Sequence, residues 1–305
     1  MKSMVEHTYP QVVWRDGQKL LWNPIHRKAL KNRPEERVRL RIIESLVAAG
    51  WSKHRISTEE SIGKPGDSAM RTDIICYDQQ FEPRILIECK AEHIPISSRT
   101  AEQIARYNRQ VSAPLVMMSN GVKDFWYEIS DGQINELESP PKLLDKNPKK
   151  QNYRFEDWQK RGFAGAKADH DLRKWVEKNL SQIWFNCENS EIRFLNFIQG
   201  LTDLNLNHYY RLKSFSKKRK VALTTVNTPF GGSRLVAIFN QNHQNEGVLE
   251  VNLDLLFDEQ KGNSSLYSET GTSIFDLRSF YNLKQVEGTH SIFENLMEIF
   301  EGALD

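Results

Sequence analysis

From Arg84 to Ala91 the chain reads RILIECKA, an aliphatic run interrupted by a carboxylate and an ammonium two positions apart. Side chains alternate along a strand, so Leu86, Glu88 and Lys90 share one face and Ile87 and Cys89 the other. A charged pair on such a strand costs free energy unless both groups are satisfied. The preceding segment, Met70 to Asp78 (MRTDIICYD), has the same anomaly, with Asp73 among Met70, Ile74, Ile75 and Cys76. Gln79 to Pro83 reads as a turn, so the two segments are expected to be neighbouring strands. Two carboxylates about 4 Å apart repel by roughly 4 kcal/mol at an effective dielectric of about 20. A hard divalent cation such as Mg²⁺ would relieve that repulsion and leave water positions open.

Such an ion acidifies a water and polarises a phosphodiester oxygen. Lys90 is placed either to orient and deprotonate that water or to stabilise charge building on the phosphorane. No serine or cysteine nucleophile with a convincing base stands elsewhere. The eight histidines have neither HxxxH nor HxH spacing, so a histidine metal site is not indicated. Cys76, Cys89 and Cys187 are scattered and odd in number, which suits buried thiols rather than disulfides or a zinc ribbon.

The 305 residues predict two cores rather than one. Val12 to Trp22 contains Asp16-Gly17 between apolar runs, a hairpin signal. After Pro34, EERVRLRIIESLVAAG has acidic residues in its first turn and Gly50 at its end, which predicts a helix. Ser98 to Gln110 reads as a helix, Pro114 to Met118 as a buried strand and Phe125 to Ile129 as another strand. The expected class is α/β, a mixed sheet flanked by helices. Leu137 to Asn152, with three prolines, makes a linker between residues 1–136 and 153–305. Beyond it, Asp169 to Phe185 and Glu191 to Leu212 look helical. From Lys220 the segments read as consecutive antiparallel strands, and Ser291 to Leu304 as a closing helix. The second domain is therefore expected to be α+β or a β-sandwich.

Asp73, fourteen residues, then Glu88-Cys89-Lys90 resembles the D…(D/E)xK signature of the PD-(D/E)xK restriction-endonuclease-like nucleases. Gln103 and Tyr107 share a helical face at i and i+4, a QxxxY spacing similar to that of the RecB-like branch. Pro34 to Arg39 with the helix ending at Gly50-Trp51, and Ser119-Asn120-Gly121 in place of a TNG turn, resemble the N-terminal nuclease domain of type I restriction enzyme R subunits. The resemblance covers about Trp22 to Ile129. It implies a Mg²⁺-dependent endonuclease, with Mn²⁺ substituting, that cuts DNA in restriction, phage defence or repair. It further implies Asp73, Glu88, the Cys89 backbone carbonyl and a helix glutamate as metal ligands, with Lys90, Gln103 and Tyr107 completing the site. Glu36 is favoured for the helix position and Glu35 is the alternative, since both fall at the edges of the apolar arc of Val38, Ile42, Ile43, Leu46 and Val47.

Net charge is only +2, so nucleic-acid contacts must come from local clusters. Arg39 lies near the middle of the apolar arc, where it reaches the site or the DNA, or else makes a structural ion pair. Arg71 lies beside a glycine-containing loop next to the site. Lys217, Lys218, Arg219 and Lys220, in RLKSFSKKRK beside Tyr209 and Tyr210, would suit a phosphate-contacting edge. The resemblance stops short of the motor, since no GxxxxGK[ST] loop is present and no nucleotide cofactor is expected. A homodimer or partner proteins of a defence system are the expected partners. A catalytically silent DNA-binding scaffold is the alternative, and an RNA-directed nuclease a third reading. With no apolar stretch of roughly 20 residues and no secretory pattern, no membrane contact is expected and the cytoplasm is the expected location.

Overall fold

The structure is a computed structural model describing residues 1–59, 61–62, 70–97, 108–142, 154–184, 191–196, 206–258, 263–276 and 292–304. Its contacts divide the chain into Met1–Asn152 and Tyr153–Asp305. No helix among the described residues is long and apolar enough to cross a membrane.

The first unit opens with a three-stranded antiparallel sheet of β1 (Val12–Arg15), β2 (Gln18–Asn23) and β3 (Lys28–Lys31). Arg15 pairs with Gln18, so Asp16-Gly17 forms the expected two-residue turn. Both turn residues have positive φ, +51° and +70°, the hand that matches strand twist. Helix α1 (Pro34–Ala48) follows, with Pro34 at its first position and Glu35 and Glu36 at the positive end of its dipole. It ends at Gly50, where Gly50 N donates to the Val47 carbonyl and Trp51 N to that of Leu46, a left-handed cap.

A six-stranded mixed sheet carries the main core. Its strands are β4 (Ile56–Thr58), β7 (Ile74–Tyr77), β8 (Pro83–Cys89), β9 (Leu115–Ser119), β10 (Asp124–Ser130) and β11 (Gln133–Leu137), in the order β11-β10-β9-β8-β7-β4. β8 and β9 are parallel and the other pairs antiparallel. Every residue of β9 is buried, as expected of a strand covered on both faces. The predicted alternation in β8 holds. Ile85, Ile87 and Cys89 pack with Val38, Ile42, Ile43 and Leu46 of α1, whereas Leu86 packs on the opposite face with Ile75, Val116 and Met118. Cys76 and Cys89 are buried free thiols, and burial pushes both upward in pKa.

The strand expected over Met70 to Asp78 is broken. Met70–Arg71 (β6) pairs with Ser61–Ile62 (β5) in a separate two-stranded sheet, and Asp73 stands in a bend before β7. Of the helix expected over Ser98 to Gln110, residues 108–110 are helical and the rest lie outside the described residues.

The second unit contains helices α2 (Phe155–Lys160), α3 (His170–Asn179), α4 (Ser181–Trp184) and α5 (Ile292–Leu304). The helix expected over Asp169 to Phe185 breaks at Leu180, with the Asp169 carboxylate capping α3 through Leu172 N at 2.8 Å. Seven strands form one antiparallel sheet in sequence order: β12 (Glu191–Leu195), β13 (His208–Ser214), β14 (Arg219–Asn227), β15 (Ser233–Gln241), β16 (Gln244–Asn252), β17 (Ser264–Ser268) and β18 (Gly271–Phe275). The two ends of the helix expected over Glu191 to Leu212 are instead strands that pair with each other, Glu191 opposite Leu212, and residues 197–205 lie outside the described residues. The second unit is thus α+β and rich in antiparallel strands. One sheet face packs Tyr210, Val226, Val236, Ile238 and Val248 together, and Phe239 stacks on Phe300 of α5 at 5.4 Å.

Candidate active site

The register of three strand ends assembles the site. Ile74 pairs with Thr58 on β4 and with Ile87 on β8, so the next row across the sheet holds Glu59, Asp73 and Glu88. Glu59 N donates to the Asp73 carbonyl at 3.2 Å and continues the β4–β7 ladder. Cys89 N donates to Asp73 Oδ2 at 2.8 Å and fixes that carboxylate against the end of β8. Because Asp73 stands in a bend rather than inside a strand, its side chain is free to turn toward this row.

Helix α1 supplies the other wall. Arg39 Nη1 lies 2.6 Å from Glu36 Oε2 and 3.2 Å from Glu59 Oε1, and its Nη2 lies 2.6 Å from Asp73 Oδ1. Arg71 Nη2 pairs with Glu59 Oε1 at 2.6 Å, and Lys90 Nζ with Glu88 Oε1 at 2.7 Å. Four carboxylates, Glu36, Glu59, Asp73 and Glu88, thus face three cations, an excess of one negative charge.

Burial, and then the crowding of negative charge, raise two of these carboxyls. Burial and then the Asp73 charge raise the Glu88 carboxyl above its ordinary value, against the pull of Lys90. Burial likewise raises Glu36, opposed by Arg39 and reinforced by Glu59 and Asp73. For Lys90 burial works against the ammonium, but the hydrogen bond and charge of Glu88 outweigh it and the net direction is upward. Burial also opposes the Arg39 charge, and Asp73 and Glu36 more than offset it.

The donor set suits a hard divalent ion in kind: Asp73 and Glu88 lie against each other, and the buried Glu36 Oε1 has no hydrogen-bond partner. In arrangement it is incomplete. Among the described residues no three Asp, Glu, His or Cys side chains are grouped to hold a metal, because the Arg39 guanidinium occupies the space between Glu36, Glu59 and Asp73. The Asp73–Glu88 pair is the part left to receive an ion.

Residues 34–141 match the family described as type I restriction enzyme R protein N terminus (HSDR_N). The matched residues all lie within the first unit. A solved fragment assigned to an HsdR subunit of a type I restriction enzyme from Vibrio vulnificus YJ016 is also similar, at 18% identity over 33% of this chain and 22% of that chain, with a TM-score of 0.27. The chain thus spans less than a quarter of that relative's length. No curated protein matches the chain.

Within the first unit, Asp73, Glu88, Lys90, Glu36 and Arg39 come together, while Glu35 is exposed. Gln103 and Tyr107 lie outside the described residues. Arg71 is mostly exposed yet tied to the cluster through Glu59. Glu59 is the member that sequence reasoning missed; its φ of +58° is left-handed, a conformation costing about 1–2 kcal/mol outside glycine. The Ser119-Asn120-Gly121 turn braces the ends of β8 and β9. Lys90 N donates to the Ser119 carbonyl at 2.8 Å, and Ser119 Oγ donates to Asp124 Oδ1 at 2.6 Å.

The basic clusters change meaning in the structure. Arg37, Arg39 and Arg41 are buried. Arg41 donates to the carbonyls of Thr8, Val5 and Gly121 and pairs with Glu92 at 2.7 Å. In the second unit Arg211, Tyr209 and Tyr210 are buried, so the tyrosines offer no face to a base. Lys213 pairs with Glu294, and Arg219 with Glu301 at 2.6 Å, both on α5. Lys217 and Lys218 are exposed on the β13–β14 turn and Lys220 is half-buried.

Proposed function

We propose that the first unit is an R-protein N-terminal domain and a Mg²⁺-dependent nuclease that hydrolyses DNA phosphodiesters in a restriction or phage-defence system, working with partner proteins or as a homodimer. The observation that carries this reading is the convergence of Asp73, Glu88 and Lys90 at the adjoining ends of β7 and β8, with Glu36 facing them from α1. Asp73 and Glu88 would hold the ion, with the Cys89 carbonyl as a backbone ligand and Glu36 Oε1 as a further acceptor. A divalent cation there supplies charge to polarise a phosphoryl oxygen and to acidify a water. Lys90, kept protonated by Glu88, stabilises negative charge developing on the phosphate. Arg39 fixes the orientation of Asp73 through Nη2 while its Nη1 holds Glu36 and Glu59.

A second reading has one observation in its favour. Arg39 already contacts Glu36, Glu59 and Asp73 and fills the space between them, as it would in a nucleic-acid-binding protein that keeps the fold without cutting. Supercoiled plasmid incubated with the full chain and Mg²⁺ or Mn²⁺, beside Lys90→Ala, separates the two. Metal-dependent nicking that falls by about a hundredfold or more in the variant supports the nuclease. Binding without nicking by either protein supports the second reading.

A further inference from the structure

The turn between β2 and β3 and the 3-10 turn Lys53–Arg55 after α1 border a cleft of about 320 Å³, lined by Trp22, Pro24, Ile25, Arg27, Lys53 and His54. One wall is an indole with two aliphatic neighbours, and the rim carries three basic side chains and no acid. Arg27, Lys53 and His54 are exposed, and among the described residues none of them makes an ion pair. By contrast, Arg39, Arg41, Arg71 and Lys90 of this unit each pair with a carboxylate. Arg27 also holds a left-handed φ of +52°, a conformation retained at a cost in a side chain that lines the cleft.

The cleft adjoins the acidic row. His26, in the same turn, bonds through Nε2 to Thr58 Oγ1 at 2.6 Å, and Thr58 is followed directly by Glu59. Lys28, at the start of β3, acts electrostatically on Glu36. An aromatic plate with an unpaired basic rim is the combination that holds single-stranded nucleic acid, the ring taking a base and the cations the backbone. The volume is at the small end of ligand cavities, about 300–1,000 Å³, which admits one nucleotide rather than a duplex.

We propose that this cleft is a nucleotide subsite for the substrate strand, with a base stacked on Trp22 and flanking phosphates held by Arg27, Lys53 and His54. The proposal rests on the nuclease reading of the adjacent row and extends it by naming where the strand is gripped.

Binding of a fluorescein-labelled single-stranded DNA oligonucleotide to the full chain, read by anisotropy with EDTA present, tests the subsite independently of cleavage. Arg27→Ala/Lys53→Ala is expected to weaken binding about tenfold or more and to reduce the slope of log affinity against log salt by about 1.4, or ~0.7 for each phosphate contact. Trp22→Ala is expected to weaken binding about tenfold, with Trp22→Phe recovering part of the loss. Circular dichroism and melting of each variant establish that it folds, and the exposed Arg27 and Lys53 keep that requirement easy to meet. Unchanged affinity in the folded double variant overturns the inference, as does a wild-type chain that does not bind the oligonucleotide. A chain that binds through the cleft yet nicks no plasmid with either metal overturns the nuclease reading and leaves the subsite standing. Metal-dependent nicking that is insensitive to the cleft variants does the reverse.

Discussion

Arg39 of α1 donates to Asp73 across 2.6 Å, joining residues 34 positions apart in the chain at the point where β7 begins. The same guanidinium reaches Glu36 and Glu59, so one side chain ties together three acids drawn from a helix and two strand ends. Removing one partner of such a buried group leaves the others uncompensated. Arg39→Ala is expected to lower the unfolding free energy by about 3–5 kcal/mol, measured by urea titration. Added Mg²⁺ should raise the melting temperature of Arg39→Ala more than that of the wild type, because the vacated position lies among carboxylates. Equal shifts in the two proteins would contradict this account of the cluster.

The Gly121 position permits no side chain. Its φ is +75°, and a Cβ there would stand 2.7 Å from Arg41 Nη1. Gly121→Ala must therefore strain the backbone and displace a guanidinium that holds the Val5 and Gly121 carbonyls and Glu92. A loss of about 1–3 kcal/mol is expected. Chemical denaturation with unchanged midpoint would show that the turn is looser than its contacts indicate.

Lys19 on β2 is buried, and burial lowers its ammonium from 10.5 to about 7. Here the folded pKa lies below the unfolded one, so between about pH 7 and 10.5 the unfolded chain binds more protons than the folded one. Stability from this group should therefore rise with pH across that window, by at most about 1.4 kcal/mol per pH unit. Lys19→Met is expected to reduce that rise. Melting curves from neutral to alkaline pH would check it, and parallel profiles for the two proteins would refute it.

In the second unit, Phe300 is fully buried and stacks on Phe239. Phe300→Ala should cost about 3–5 kcal/mol, whereas Arg219→Ala, which breaks only a half-exposed ion pair with Glu301, should cost about 1 kcal/mol or less. Comparable losses for the two variants in a denaturation experiment would mean that α5 is held by charge rather than by its aromatic face.

Much of the first unit was legible because its signals are local. Asp16-Gly17 fixes a turn, Pro34 and Gly50 bound a helix, and the alternation through Ile85, Leu86 and Ile87 sorts the two faces of β8. Asp73, Glu88 and Lys90 stood out as charges in apolar surroundings. Glu59 gave no such signal, because its place depends on the register of β4 with β7 and on a left-handed backbone that Thr58-Glu59 does not announce. The burial of Arg41 gave no signal either, because the groups that satisfy it, the Thr8 and Val5 carbonyls and Glu92, are distant from it in the chain. Glu191 to Leu212 was misread because good helix formers outweighed the alternation of Ile192 and Phe194 in a short edge strand.

The sheet of the second unit has a kinetic consequence. Each of its strands pairs with the next one along the chain, and four of the six connections are only two to five residues long, so most of its ladders grow hairpin by hairpin with short loop closures. The first unit must instead bring β8 and β9 side by side in parallel, which requires a long connection to close before any bond forms. On that basis the second unit should regain its structure sooner after dilution from denaturant, and stopped-flow refolding should resolve two phases rather than one.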